Sequence, residues 1–332
     1  MLNGKVILIT GGTGSFGHHF VDYALQHYDP KKIIIYSRDE YKQFVMSNAY
    51  KEHKKVLRYF IGDVRDSLRL QMAMRGVDYV IHAAALKQVP VCEYNPNEAV
   101  RTNIGGAMNV IHAALNEGVR KVVALSTDKA VNPINLYGGT KLVSDKLFTA
   151  ANSYSGADGT RFAVVRYGNV AGSRGSVIPF FRGMIESGET ELPITDYRMT
   201  RFWISLEEGV RLVIKALGEA RGGETFISKI PSFKITDLAQ AMLPGCRTKE
   251  IGIREGEKLH EVMVTREDAP HTCEYENHYI IYPQYNWWGA GDRIPGGKPV
   301  EPGFEYSSGT NTWWLDVEEI RRLLKTDLDR HV

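Results

Sequence analysis

Tyr137-Gly138-Gly139-Thr140-Lys141 sets a phenol and an ammonium four residues apart, which on a helix places both on one face. An ammonium beside a phenol favours phenolate, so Tyr137 becomes an acid/base able to take the proton of a substrate hydroxyl during hydride transfer. Y-x-x-x-K recurs by chance, and position gives it weight. It opens a helix after an apolar run that ends in Ser126-Thr127, and the Thr127 hydroxyl completes a Thr–Tyr–Lys triad at the carboxyl edge of a sheet.

Hydride chemistry needs a nicotinamide dinucleotide, and the chain offers a place for one. Thr10-Gly11-Gly12-Thr13-Gly14-Ser15-Phe16-Gly17 follows the first apolar run and opens a helix. Gly11 lets the chain turn, Gly14 lets backbone N–H groups reach a pyrophosphate, and Gly17 permits close helix–strand contact, with Thr13, Ser15 and Phe16 lining the turn. The second run ends in Tyr36-Ser37-Arg38-Asp39, where an acid would bind the ribose 2′-hydroxyl of NAD. Ser37 and Arg38 suit a 2′-phosphate instead, and Lys42 adds a second cation, so NADP is favoured while Asp39 leaves NAD open. Asp63-Val64 is expected at the adenine edge, and Ala83-Ala84-Ala85 offers small residues where a cofactor passes close.

These groups need a scaffold. Val6–Ile9, Ile33–Tyr36, Leu57–Ile61, Val77–Ile81, Val122–Leu125 and Phe162–Val165 read as buried parallel strands. Helical spacings lie between them, one carried by Val100, Ile104, Met108, Ile111 and Leu115. The alternation predicts an α/β fold, a doubly wound parallel sheet, with a smaller mixed α/β substrate domain after it. The expected division is a dinucleotide-binding domain over 1–168, with a returning segment near 200–228, and a substrate domain over 169–332. Asp316 and Glu319 form a capping box for the last helix. Trp287-Trp288 and Trp313-Trp314 are expected as core or interface anchors.

The chain has 332 residues, with 41 Lys+Arg against 39 Asp+Glu, a net charge of +2. Near-neutrality argues against a nucleic-acid-coating or membrane-surface protein. Cys92, Cys246 and Cys273 form no CxxC pair, pointing to a reducing compartment and no thiolate cage. No signal-peptide core and no membrane-length apolar run is present, so a cytoplasmic protein is expected. His271, Cys273 and His278 lack a fourth ligand and a zinc spacing, and His260-Glu261 lacks the second His of H-E-x-x-H, so no metal is expected.

Gly11 to Gly17, Asp63, Asn103, Thr127, Tyr137 and Lys141 together resemble the extended short-chain dehydrogenase/reductase family, which acts largely on nucleotide sugars. Asp128-Lys129 is the discriminating pair: retaining hexose dehydratases carry Asp-Glu there. With His82 to Pro90 and Gly256 to Glu261, it is similar to the inverting UDP-N-acetylglucosamine 4,6-dehydratases that start pseudaminic acid biosynthesis. The resemblance implies NADP, UDP-N-acetylglucosamine as substrate, Lys129 as base at carbon 5 and Asp128 as acid for the carbon 6 hydroxyl. Such roles require a lysine neutral part of the time and an aspartic acid that holds a proton. It further implies Lys87 as a bridge between cofactor and sugar, Asn169 and Val177 near the substrate, Arg201 and Arg254 on the diphosphate, and Glu257 on the ribose. A homo-oligomer, often a hexamer in related dehydratases, is expected. A retaining dehydratase, a 4-epimerase and a non-catalytic NADP-binding sensor are the alternatives.

Overall fold

The computed structural model describes residues 1–156, 159–168, 170, 176–285, 287–289 and 293–328. The six apolar runs are strands: β1 (Val6–Thr10), β2 (Lys32–Ser37), β3 (Leu57–Ile61), β4 (Tyr79–His82), β5 (Lys121–Thr127) and β6 (Arg161–Tyr167). They are parallel in the order β3-β2-β1-β4-β5-β6, and the order reverses between β1 and β4. A doubly wound sheet binds its ligand in the crevice at such a reversal, beyond the carboxyl ends of the strands. The fourth strand starts at Tyr79 and not Val77, because the Val77 N–H closes a turn onto Met74 O. Beyond β6 the sheet continues through Thr225–Ser228, parallel, and then through His278–Ile281, Thr272–Glu274 and Lys298–Pro299, antiparallel. The chain therefore re-enters the sheet at 272–299 as well as at 225–228.

Both faces of the sheet are covered, which explains why its strands are β-branched runs and do not alternate. On one face Ile7, Ile9, Ile33, Ile35, Val123 and Val165 meet Phe20 and Val21 of the first helix, Ser15–His27, and Val210, Val213 and Leu217 of the helix Leu206–Glu219. On the other, Leu8, Ile34, Val80, Val122 and Val164 meet Leu70, Val110 and Phe148. Each such side chain contributes about 1.5–3 kcal/mol by leaving water. A third core gathers Ile178, Phe181, Leu192, Trp203, Phe233, Leu238, Leu315 and Ile320 around two short sheets, Glu191–Ile194 with Arg247–Glu250 and Thr200–Phe202 with Ser232–Lys234.

Two local expectations change and a third holds. The helix read through Val100 and Met108 opens with a π-helical segment, Val100–Gly105, before the α-helix Gly106–Asn116. The wider turn rotates the phase, so Val100 and Met108 are exposed while Thr102 and Asn103 are buried. The tandem tryptophans are not core: Trp313 and Trp287 are exposed. Each neighbour is seated instead, Trp314 Nε1 donating to Asn311 O at 2.6 Å and Trp288 Nε1 to Gly222 O at 3.2 Å. The capping box does form, Glu319 N donating to Asp316 Oδ1 at 2.8 Å and Asp316 N to Glu319 Oε2 at 3.0 Å. Among the described residues no helix is long and apolar enough to cross a membrane.

Candidate active site

The glycine turn sits at the β1/β4 reversal. Gly11 N donates to Tyr36 O at 2.8 Å, and the first helix starts at Gly14 with no side chain capping it. Its first-turn N–H groups are thus open to an anion. A Cβ on Gly17 would lie 2.0 Å from Gly12 O, so only glycine lets the helix approach the strand this closely. Thr10 Oγ1 accepts from Ala83 N and Ala84 N, both at 3.2 Å, and meets His82 Nδ1 at 2.8 Å, fastening the ends of β1 and β4 around the turn. Thr13 and Phe16 are half-buried in this turn and Ser15 is exposed. An open helix terminus over a glycine cradle fits a dinucleotide pyrophosphate.

At the outer end, Arg38 Nη1 lies 3.7 Å from Asp63 Oδ2, a carboxylate that Arg65 also holds at 2.7 Å. Burial works against ionisation there, but Arg65 and then Arg38 hold the Asp63 carboxyl below its usual range. Asp39 caps the helix Glu40–Ala49, accepting from Lys42 N at 2.9 Å, with the Lys42 ammonium at 3.1 Å. The acid that left NAD open is therefore engaged in a helix cap. Ser37 is buried and accepts from Gln43 Nε2 at 3.0 Å. Val64 is buried against Gly106, and its carbonyl accepts from Asn109 Nδ2 at 2.9 Å. Ala83 is half-buried and Lys87 exposed in the loop after β4.

Thr127 ends β5, and a 3-10 turn, Asp128–Ala130, carries the next two candidates. Thr127 Oγ1 donates to Asp128 Oδ1 at 2.9 Å and accepts from Lys129 N at 3.3 Å. Lys129 Nζ lies 3.1 Å from Asp128 Oδ1 and 3.5 Å from Glu261 Oε1. Arg201 Nε approaches the same Glu261 oxygen at 3.7 Å. Asp128, Glu261 and Arg201 are buried; Asp128 Oδ2 and Glu261 Oε2 accept no hydrogen bond among the described residues. Tyr137 and Lys141 are buried on the helix Leu136–Ala150, which Asn135 caps by accepting from Gly138 N at 2.8 Å. A Cβ on Gly138 would lie 2.1 Å from Lys129 O, so this glycine lets the tyrosine helix press against the Asp128–Lys129 turn. Asn103, turned inward by the π-helical segment, accepts from Leu86 N at 2.8 Å and donates to Thr140 Oγ1 at 2.9 Å, tying the β4 loop to that helix.

Burial would strip the proton from Lys129, but the Asp128 and Glu261 carboxylates outweigh it and hold the ammonium above its ordinary range. These surroundings favour the charged form of Lys129. Burial pushes the Tyr137 phenol up to about 12, and the cation that opposes this is Lys129, with Thr127 hydrogen bonding to the phenol as a further aid. Lys141, lowered by burial, interacts instead with Asp145, whose carboxyl burial raises and whose Oδ2 accepts from Ser126 Oγ at 2.6 Å.

The substrate-side residues are spread out. Arg201 is buried in the cluster above, its Nη1 donating to Thr200 O at 2.7 Å and Leu259 O at 3.2 Å. Arg254 is exposed, 4.0 Å from Glu257. Val177 starts the helix Val177–Glu186, and Asn169 lies outside the described residues. Sequence reasoning gave no role to the contacts that hold the 254–261 loop to the Tyr137 helix. Asn135 Nδ2 donates to Gly256 O at 2.8 Å, and Lys258 Nζ donates to Val131 O. Only the density of charge in Glu257-Lys258-Leu259-His260-Glu261 hinted at them. A separate cavity of about 580 Å³, lined by Trp203, Arg211 and Trp313 among others, shares no residue with this constellation.

Residues 7–283 match the family described as polysaccharide biosynthesis protein. The chain is 56% identical over 329 residues to a UDP-N-acetylglucosamine 4,6-dehydratase (inverting) of Campylobacter jejuni, covering 96% of this chain and 97% of that one. It is 44% identical over 337 residues to a UDP-glucose 4-epimerase of Rickettsia akari, covering 97% and 96%. The X-ray structure of Pen from Bacillus thuringiensis superposes with a TM-score of 0.90 at 39% identity, covering 99% of both chains. With its doubly wound sheet and glycine turn, the chain belongs to the polysaccharide biosynthesis protein family of extended short-chain dehydrogenases/reductases.

Proposed function

We propose that the chain is a UDP-N-acetylglucosamine 4,6-dehydratase that inverts carbon 5, uses NADP and supplies pseudaminic acid biosynthesis. The observation that carries this reading is the buried Asp128–Lys129 ion pair beside Thr127 and Tyr137, at 56% identity to an inverting dehydratase. Arg38 beside Ser37, with Asp39 engaged as a cap, supports NADP. The Gly11–Gly17 turn would hold the pyrophosphate of the dinucleotide, which when bound would supply reversible hydride transfer with the sugar.

The protein's own part is proton management. Tyr137 takes the 4-hydroxyl proton as phenolate, the form that Lys129 and Thr127 favour against the burial that keeps the resting phenol protonated. The resulting ketone acidifies the carbon 5 proton. Across 3.1 Å one proton passes from Lys129 to Asp128, turning the ion pair into a neutral amine and a carboxylic acid. The amine then takes the carbon 5 proton while the acid protonates the carbon 6 hydroxyl; the C5–H and C6–O bonds break, C5=C6 forms and water leaves. Both groups end as they began, ammonium and carboxylate, so the resting ion pair needs no external proton. As the hydride returns to carbon 6, carbon 5 takes a proton from a water on the face opposite Lys129, which inverts it, and the hydroxide left is neutralised by the proton that Tyr137 took from the 4-hydroxyl. Lys141 and Lys87 serve cofactor and sugar, and Arg254, Glu257, Val177 and Asn169 the uridine diphosphate.

The epimerase relative at 44% identity gives the second reading, which needs Tyr137 but no acid for carbon 6. A cytoplasmic homo-oligomer goes with the main reading; free Cys92, Cys246 and Cys273 fit a reducing setting, and exposed Val91, Tyr94 and Val100 offer apolar contact. Incubation with UDP-N-acetylglucosamine, followed by mass spectrometry, tests it: loss of one water supports the dehydratase. An isomer of unchanged mass supports the epimerase, and no turnover leaves a sensor.

A further inference from the structure

Lys129 has a second carboxylate neighbour that the reaction as written does not use. Glu261 comes from the far side of the site, just before the strand Val262–Val264. Its backbone is clamped: Glu261 N donates to Ser308 Oγ at 2.9 Å, and Ser308 N donates to Glu261 O at 2.8 Å. Its side chain is buried, with one oxygen shared by Lys129 and Arg201 and the other accepting no hydrogen bond among the described residues. Burying a carboxylate costs several kcal/mol unless it is paired, so a charge held here answers to the cations around it.

We infer that Glu261 is a positioning residue for the elimination, holding the Lys129 ammonium beside Asp128 and setting its basicity. This rests on the dehydratase reading. A proton on the carbon next to a ketone is a weak acid, and its removal is helped by a strong base whose new positive charge is met as it forms. Glu261 meets it at 3.5 Å, from a stretch of chain separate from Asp128. The groups facing Lys129 are Asp128 on its own turn, Tyr137 on the helix, Glu261, Arg201 on the strand Thr200–Phe202, and Lys258 in the 254–261 loop. Two carboxylates and Arg201 thereby bracket one lysine.

The test is competitive labelling of Lys129 with an amine-directed acylating reagent across pH, read by peptide mass spectrometry on substrate-free protein. Removing a carboxylate within a few ångströms lowers an ammonium's pKa by about one to three units. Glu261→Gln should therefore move the Lys129 labelling midpoint down by about one unit or more, making the amine at least about tenfold more reactive below that midpoint. Glu261→Asp should restore part of the shift. In turnover, Glu261→Gln should still oxidise carbon 4 and accumulate reduced cofactor while water loss slows, a split that general misfolding does not give. An unmoved labelling midpoint in folded Glu261→Gln protein overturns the inference whatever the enzyme makes. A shifted midpoint in a protein that never eliminates water would overturn the dehydratase reading and leave the charge-setting role standing.

Discussion

The two sides of the crevice are built in different ways. The cofactor side is made by backbone: an uncapped helix terminus, glycines at close approach and Thr10 fastening two strand ends. The chemical side is made by side-chain charge: Asp128, Lys129, Glu261 and Arg201 converge in a buried cluster from three separate stretches. The first tolerates no added carbon, and the second no change of charge. Steric damage on one side and electrostatic damage on the other should therefore separate binding from turnover.

The largest expected effect is electrostatic. Lys129→Ala should lose about 10²–10⁴-fold in water elimination while still reducing its cofactor, since acid/base help of this kind is worth that much. Cofactor absorbance and product mass, followed together, check it, and retained elimination would remove Lys129 from its role. On the backbone side, Gly17→Ala forces a Cβ toward Gly12 O and should cost about 1–3 kcal/mol of stability together with cofactor affinity, measured by thermal unfolding with and without NADP.

A pH effect comes next, and it belongs to the scaffold between the two sides. Burial first, and then Lys141, hold His82 neutral and bring its pKa down to about 3. The unfolded chain binds that proton near 6.5 and the folded chain does not, so its contribution is fully present above about pH 6.5 and lost as pH falls toward 3, at up to about 1.4 kcal/mol per unit. Denaturant midpoints for the wild type and His82→Gln over that window should converge toward acid. The smallest effect tests the joint. Asn135→Ala removes a helix cap worth about 1 kcal/mol and the latch on Gly256 O, so it should raise KM for the nucleotide sugar more than it lowers kcat.

The same contrast explains what could be read from the chain alone. Strand alternation, the glycine turn and the Asp316–Glu319 cap are local patterns, and their physics lies within a few residues of each. The π-helical turn at Val100–Gly105 escaped because hydrophobic spacing assumes a constant phase. Glu261 escaped because its meaning lies 132 residues away at Lys129, and no local periodicity carries such a contact. The surroundings of Lys129 were only half legible for the same reason: the neighbour in sequence is visible, and the second carboxylate is not. Arg201, expected on a phosphate, also meets that same carboxylate, a contact that no local pattern carries.

The central claim is inversion through elimination, and one measurement addresses it most directly: NMR of the product formed from UDP-N-acetylglucosamine in deuterium oxide. The account predicts a 4-keto-6-deoxy sugar of L-arabino configuration with deuterium at carbon 5. A product that keeps its 6-hydroxyl, or one with D-configuration at carbon 5, would contradict it.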